Sequence, residues 1–145
     1  MKKIVFLIIA SMLMSIMLTG CGGGETLTLN VYNWGEYISD GSEGSFDTVK
    51  EFEKWYKETY GQKVNVNYTT YASNEDMYNK ISSGAVSYDV IIPSDYMIAR
   101  MVNEGLLQPL NFDNIPNYKN IDSNFKGLYY DADNLYSVPY AYGIV

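Results

Sequence analysis

Two short stretches of this chain combine side chains suited to holding an organic cation. Asn33-Trp34-Gly35-Glu36-Tyr37 sets two aromatic rings beside a carboxylate, and Pro93-Ser94-Asp95-Tyr96 sets a hydroxyl, a carboxylate and a phenol in consecutive places. An ammonium group is drawn to the negative face of an indole or phenol by about 0.5–2 kcal/mol, depending on how far it is desolvated. A neighbouring carboxylate offsets the cost of burying its charge. Each of these residues also has a structural use. Trp34 and Tyr37 could form an aromatic corner that packs the domain edge, Glu36 could cap its loop or face water, and Asp95 belongs to the best class of helix N-caps. A carboxylate at a helix start weakens the attraction of that terminus for anions, so the second stretch suits an ammonium better than a phosphate.

The surrounding sequence must place both stretches at one edge. Residues 27–32 alternate apolar and polar as a strand does. From Phe46 the period changes, with Val49, Phe52, Tyr56 and Tyr60 spaced as the apolar face of a helix that Gly61 closes. Glu53 with Lys57 and Lys54 with Glu58 have the spacing of solvated helical ion pairs. Val64, Val66 and Tyr68 alternate again as a second strand. Ser73 and Asp76 resemble a capping box opening a short helix with Met77, Tyr78 and Ile81 inward and Gly84 at its end. Residues 89–92 are a short apolar run expected to be a strand covered on both faces. After the Pro93 break, residues 96–104 are expected to be helical, with Met97, Met101 and Val102 buried and Gly105 as the stop.

Strand, helix, strand, helix, strand, helix in that order implies an α/β fold: a parallel sheet with right-handed crossovers and helices on both faces. Ligands of such sheets bind beyond the carboxyl ends of the strands. Residues 34–37, 71–74 and 94–96 are therefore the cleft-facing candidates. Residues 111–134 are polar and turn-rich, and irregular structure with single helical turns is expected there. Residues 136–140 read as another extended segment, and residues 143–145 as the start of a further strand.

Composition removes several classes of chemistry. The chain has no histidine and a single cysteine, Cys21, so His-based acid–base catalysis, a Cys nucleophile served by His and the common zinc sites lack their residues. Asp131-Ala132-Asp133-Asn134 lacks the glycine and the distal glutamate of a calcium loop, and reads as a turn. No metal site, cofactor or enzymatic activity is expected. A paired-carboxylate hydrolase is the one catalytic alternative, with Glu36 and Asp95 as its test residues.

The first twenty residues read as a secretion signal outside the fold. Lys2 and Lys3 form a basic start, residues 4–18 are apolar, and Leu18-Thr19-Gly20-Cys21 resembles the box at which bacterial lipoproteins are acylated on the thiol and cleaved before it. The apolar run is short for a membrane span of about 20 residues. Cys21 is then the lipid-bearing residue, and residues 21–26, with Gly22 to Gly24, a flexible tether. Without the two leader lysines, eight basic residues stand against seventeen acidic ones, a net charge of −9. That balance disfavours nucleic acid and favours cationic ligands.

Taken in order, the lipoprotein box, Asn33-Trp34-Gly35-Glu36-Tyr37, residues 71–78, residues 88–96, Glu104-Gly105-Leu106-Leu107-Gln108 and residues 136–143 resemble the spermidine/putrescine-binding lipoproteins of bacterial ABC importers. The resemblance implies a type II periplasmic-binding-protein-like clamp of two lobes, residues 27–145 being the N-terminal lobe and the second lobe missing. It implies a polyamine ligand, an ABC permease partner and an extracytoplasmic, membrane-anchored location. Carried over by motif, Trp34 and Tyr37 would contact the methylene chain and an amine, and Ser94 and Tyr96 would complete the wall. Asp95 stands where some relatives have a neutral hydroxyl residue, so no role carries over to it. A binding protein of the same fold for a sugar or a metal complex, and a truncated lipoprotein that binds nothing, are the alternatives.

Overall fold

The computed structural model describes residues 25–143. The leader, Cys21, the glycines after it and the two final residues lie outside that range, so the expectations attached to them find no structural counterpart here.

Three parallel strands form the sheet: β1 (Leu27–Trp34), β2 (Val64–Tyr71) and β3 (Val90–Ile91), in the order β2-β1-β3. Helix α1 (Thr48–Tyr60) connects β1 to β2, α2 (Asn74–Ser82) connects β2 to β3, and α3 (Asp95–Asn103) follows β3. The first crossover runs from β1 to β2 and the second runs back from β2 past β1 to β3, so right-handed connections put α1 and α2 on opposite faces. The expected open α/β fold is what the chain adopts. Short 3-10 turns follow at Phe112–Asn114, Pro116–Asn120 and Ser123–Phe125, as the turn-rich composition of that stretch implied.

Helix ends are closed as the sequence suggests. Asp47 accepts the Lys50 amide at the start of α1, and Gly61, at φ 70°, ends it with its amide on the Lys57 carbonyl. Ser73 accepts the Asp76 amide at 3.0 Å, which starts α2. β1 is the central strand and pairs with β2 from Leu27 opposite Val64 to Trp34 opposite Tyr71, and with β3 at Val31 and Tyr32. Tyr32, Tyr71, Met77, Met97 and Met101 form the buried core between the sheet and helices α2 and α3. Tyr88 stacks on Tyr32 at 4.4 Å, and Tyr71 meets it edge-on at 5.0 Å. On the surface, Arg100 lies 3.6 Å over the Tyr78 ring while Glu104 takes hydrogen bonds from both residues, fastening α2 to α3.

Five expectations need correction. The strand at residues 89–92 is only Val90–Ile91, and Val90 is 43% exposed, because β3 stands at the sheet's edge instead of between covered faces. Phe46 lies outside α1 and is 63% exposed, and no residue of α1 is buried, so its aromatic stripe is a half-covered face. The charges on α1 pair differently from the i, i+4 pattern. Lys54 lies 3.7 Å from Glu51, and Glu53 accepts the Val66 amide at 2.7 Å, satisfying a donor on the free edge of β2. Val102 is only half-buried, whereas Met97 and Met101 are the fully enclosed residues of α3. Residues 136–140 join no strand. Among the described residues, no helix is long and apolar enough to cross a membrane.

Candidate ligand-binding edge

The parallel register brings the last residues of β1 and β2 side by side, with Trp34 opposite Tyr71. Their rings lie 4.8 Å apart. The Tyr71 hydroxyl donates to the Ile92 carbonyl, so the end of β2 is tied across the sheet to the segment leaving β3. Burial and the surrounding tyrosines push the Tyr71 pKa well above the usual phenol range, keeping it a donor at any physiological pH. Asn33 is buried, and its Oδ1 accepts the Trp34 amide at 2.7 Å, which turns the chain out of the strand.

Beyond that turn Tyr37 is 46% exposed, its ring 6.2 Å from Trp34. Glu36 holds a left-handed backbone at φ 60° and is exposed, with no hydrogen bond to its carboxylate among the described residues. Glu36, Tyr37, Ile38, Ser39 and Thr48 line one shallow groove, and Tyr140 closes it from the far end of the chain. The Tyr140 hydroxyl donates to the Tyr37 carbonyl at 2.6 Å, and the two rings lie 6.2 Å apart. The Tyr68 hydroxyl is buried and has no hydrogen-bond partner among the described residues. Burial raises its pKa, and the nearby Asn33 amide only partly opposes that rise.

The second cluster is built on the starts of α2 and α3. Ser94 is the N-cap of α3, and its hydroxyl makes no capping hydrogen bond. Its amide donates to Asn74 Oδ1 at 3.2 Å, Asn74 Nδ2 donates to the Tyr96 hydroxyl at 2.9 Å, and that hydroxyl donates to Glu75 Oε1 at 2.9 Å. Asp95 is the first residue of α3 and not its N-cap. Its Oδ1 accepts the Tyr96 amide at 2.7 Å, and its Oδ2 accepts the Tyr129 hydroxyl at 2.8 Å. The Asp95 bond and charge push the Tyr129 pKa up.

Trp34 and Tyr37 thus stand together, as do Ser94, Asp95 and Tyr96. Tyr71 connects the two groups, its ring on Trp34 and its hydroxyl two residues before Ser94. Glu36 points to the groove beside Tyr37 and joins neither hydrogen-bonded cluster. Glu75, Tyr129 and Tyr140 were absent from the sequence-level candidates. The capping box places Glu75 in the first turn of α2, next to Asn74, and so carried a signal for it. Nothing local marks Tyr129 or Tyr140, which arrive from 34 and 103 residues away. At Asp131 the expected turn is present, closed by the Asn134 amide on the Asp131 carbonyl at 3.0 Å.

An open parallel α/β unit that shows aromatic rings, hydroxyls and carboxylates at its strand ends has the build of a ligand-binding lobe. The family model described as bacterial extracellular solute-binding protein matches residues 42–145, and the chain belongs to that family, whose members bind solutes for transport and do not transform them. It is 32% identical over 146 residues to the spermidine/putrescine-binding periplasmic protein of Escherichia coli K12, covering 99% of this chain and 38% of that protein. It is 33% identical over 141 residues to the putrescine-binding periplasmic protein PotF of the same organism, covering 96% and 35%. Among solved structures, a putative spermidine/putrescine ABC transporter from Listeria monocytogenes matches with a TM-score of 0.63 at 39% identity, over 79% of this chain and 32% of the other. The PotD substrate-binding protein of Streptococcus pneumoniae, solved with calcium and HEPES, matches with a TM-score of 0.65 at 38% identity, over the same shares. The chain therefore spans little more than a third of the length of the curated relatives it matches.

Proposed function

We propose that this chain is the N-terminal lobe of an extracytoplasmic polyamine-binding component of an ABC importer, presenting one wall of the ligand cleft. The observation that carries it is that Tyr71 links the Trp34 and Tyr37 pair to the segment leading into Ser94 and Tyr96 at the carboxyl edge of the sheet, in a chain whose relatives are named for spermidine and putrescine. Trp34 and Tyr37 flank the methylene chain and face an amine. Ser94, whose hydroxyl is not used in capping, and Tyr96 supply polar contacts. Asp95 contributes its charge, and its carboxylate, held by the Tyr96 amide and the Tyr129 hydroxyl, keeps one free lone pair on each oxygen. Glu36 lies at the rim. Cys21 carries the lipid that holds the protein at the membrane, where an ABC permease receives the solute.

Binding is non-covalent and, on this wall alone, weak, because an amine held from one side stays largely hydrated. Titrating putrescine, spermidine, a hexose and sulfate against the fluorescence of a Trp55→Phe background isolates Trp34. The expected result is a saturable change with the amines only, lost in Tyr37→Ala. A response to the sugar alone, or none to either amine, refutes it. Loss of membrane retention in Cys21→Ser is the matching test of the anchor.

A further inference from the structure

The hydrogen bonds around Tyr96 have only one consistent set of directions. The Ser94 backbone amide can only donate, so the Asn74 oxygen must face it. That fixes the orientation of the buried Asn74 amide, 4% exposed, and turns its NH2 toward the Tyr96 oxygen. With one lone pair occupied, the Tyr96 hydroxyl places its own proton on Glu75 Oε1, which as a carboxylate can only accept. What remains toward solvent is one lone pair on Tyr96 and the second carboxylate oxygen of Glu75. Both are acceptors.

Resting on the polyamine reading of this edge, we propose that Glu75 is a specificity-determining residue. With Tyr96 it forms an acceptor-only pair for one ammonium group, and Asn74 positions that pair by holding the Tyr96 hydroxyl in a single direction. An ammonium, with three donors, satisfies both acceptors at once. A hydroxyl has one donor and leaves an acceptor unpaired, and a carboxylate has none and meets like charge. The pair thereby selects a primary amine over an alcohol or acid of the same chain length, at a place on the first lobe distinct from the Trp34 and Tyr37 rings. Glu75 and Tyr96 are both exposed, so the ammonium reaches them without rearrangement.

The test titrates putrescine, the diol of equal chain length and succinate into the full chain at fixed ionic strength. Tyr96 is followed by NMR of isotope-labelled tyrosine, assigned with Tyr96→Phe, and Trp34 by fluorescence. Glu75→Gln keeps an oxygen for the Tyr96 proton and removes only the charge. The expected result is a saturable Tyr96 shift with putrescine, a shift with the diol only at much higher concentration, and none with succinate. In Glu75→Gln, affinity falls about threefold, the scale of an exposed ion pair, and preference for the amine over the diol narrows. If Trp34 responds to putrescine while Tyr96 does not, or if Glu75→Gln leaves the amine-to-diol preference unchanged, the role of Glu75 is overturned and the polyamine reading stands. If neither probe responds, both fall.

Discussion

Replacing Asp131 by asparagine should loosen the whole segment that carries Tyr140 to the ligand edge. Asp131 is 7% exposed, and its carboxylate accepts four hydrogen bonds: the Leu135 amide on Oδ1 at 2.8 Å, and on Oδ2 the Tyr136 amide at 3.0 Å, the Ser137 amide at 2.8 Å and the Ser137 hydroxyl at 2.8 Å. Burial by itself would raise its pKa, but these donors outweigh burial and hold it below the usual aspartate value. Asparagine has one carbonyl, which would take the place of Oδ2 because three donors converge there. Its NH2 then faces the Leu135 amide, donor against donor. Leaving the part-buried Leu135 amide without its acceptor costs about 1–2 kcal/mol, and the other three bonds lose their charge assistance, so the total comes to about 3 kcal/mol. In a domain of this size that lowers the melting temperature by roughly 10 °C. Urea denaturation of wild type and Asp131→Asn at neutral pH measures the difference directly. A pH series adds a second condition. A carboxylate whose folded pKa is depressed contributes stability above its unfolded value, about 3.9, and loses it as pH falls through the folded pKa. The gap between the two proteins should therefore close below about pH 4. A difference under about 0.5 kcal/mol at neutral pH, or one that persists in acid, would show that the cage does not hold the segment.

Other substitutions separate neighbouring effects. Tyr68→Phe removes a buried hydroxyl with no partner and should be neutral or stabilising by up to about 1 kcal/mol in the same denaturation assay; a clear loss would mean that the hydroxyl is satisfied after all. Glu53→Ala strips the acceptor from the Val66 amide at the edge of β2 and should cost about 1–2 kcal/mol, with faster hydrogen exchange at that amide as its local signature. Gly61→Ala forces an alanine to the left-handed backbone that ends α1, at about 1 kcal/mol, without changing ligand affinity.

The helices and long strands were legible because periodicity and caps are local. Ser73 with Asp76, Gly61 and the Met97/Met101 spacing each state their structure within one turn. β3 was misjudged for the opposite reason. An apolar run does not reveal whether a neighbour will cover it, and Val90 is exposed because of its place in the sheet order. Glu53 shows the same limit, since i, i+4 spacing offered Lys57 as a partner while the fold offered a free strand amide. At the ligand edge, residue type and strand end were enough to nominate Trp34, Tyr37, Ser94 and Tyr96. The direction of the Tyr96 hydroxyl depends on which way the Asn74 amide faces, and only the Ser94 amide settles that. Tyr129 and Tyr140 reach the edge across long separations that no local pattern encodes.

That separation has a consequence for how the molecule comes together. The bond from the Tyr140 hydroxyl to the Tyr37 carbonyl closes a loop of 103 residues. The entropy of closing so long a loop is recovered only after the sheet has already drawn its ends near each other. The rim of the groove is therefore completed late, after the β1–β2 ladder, and during synthesis it cannot form until Tyr140 has emerged. Tyr140→Phe should accordingly quicken unfolding and leave the folding rate unchanged, and a slowed folding limb in stopped-flow kinetics would place this contact in the nucleus instead.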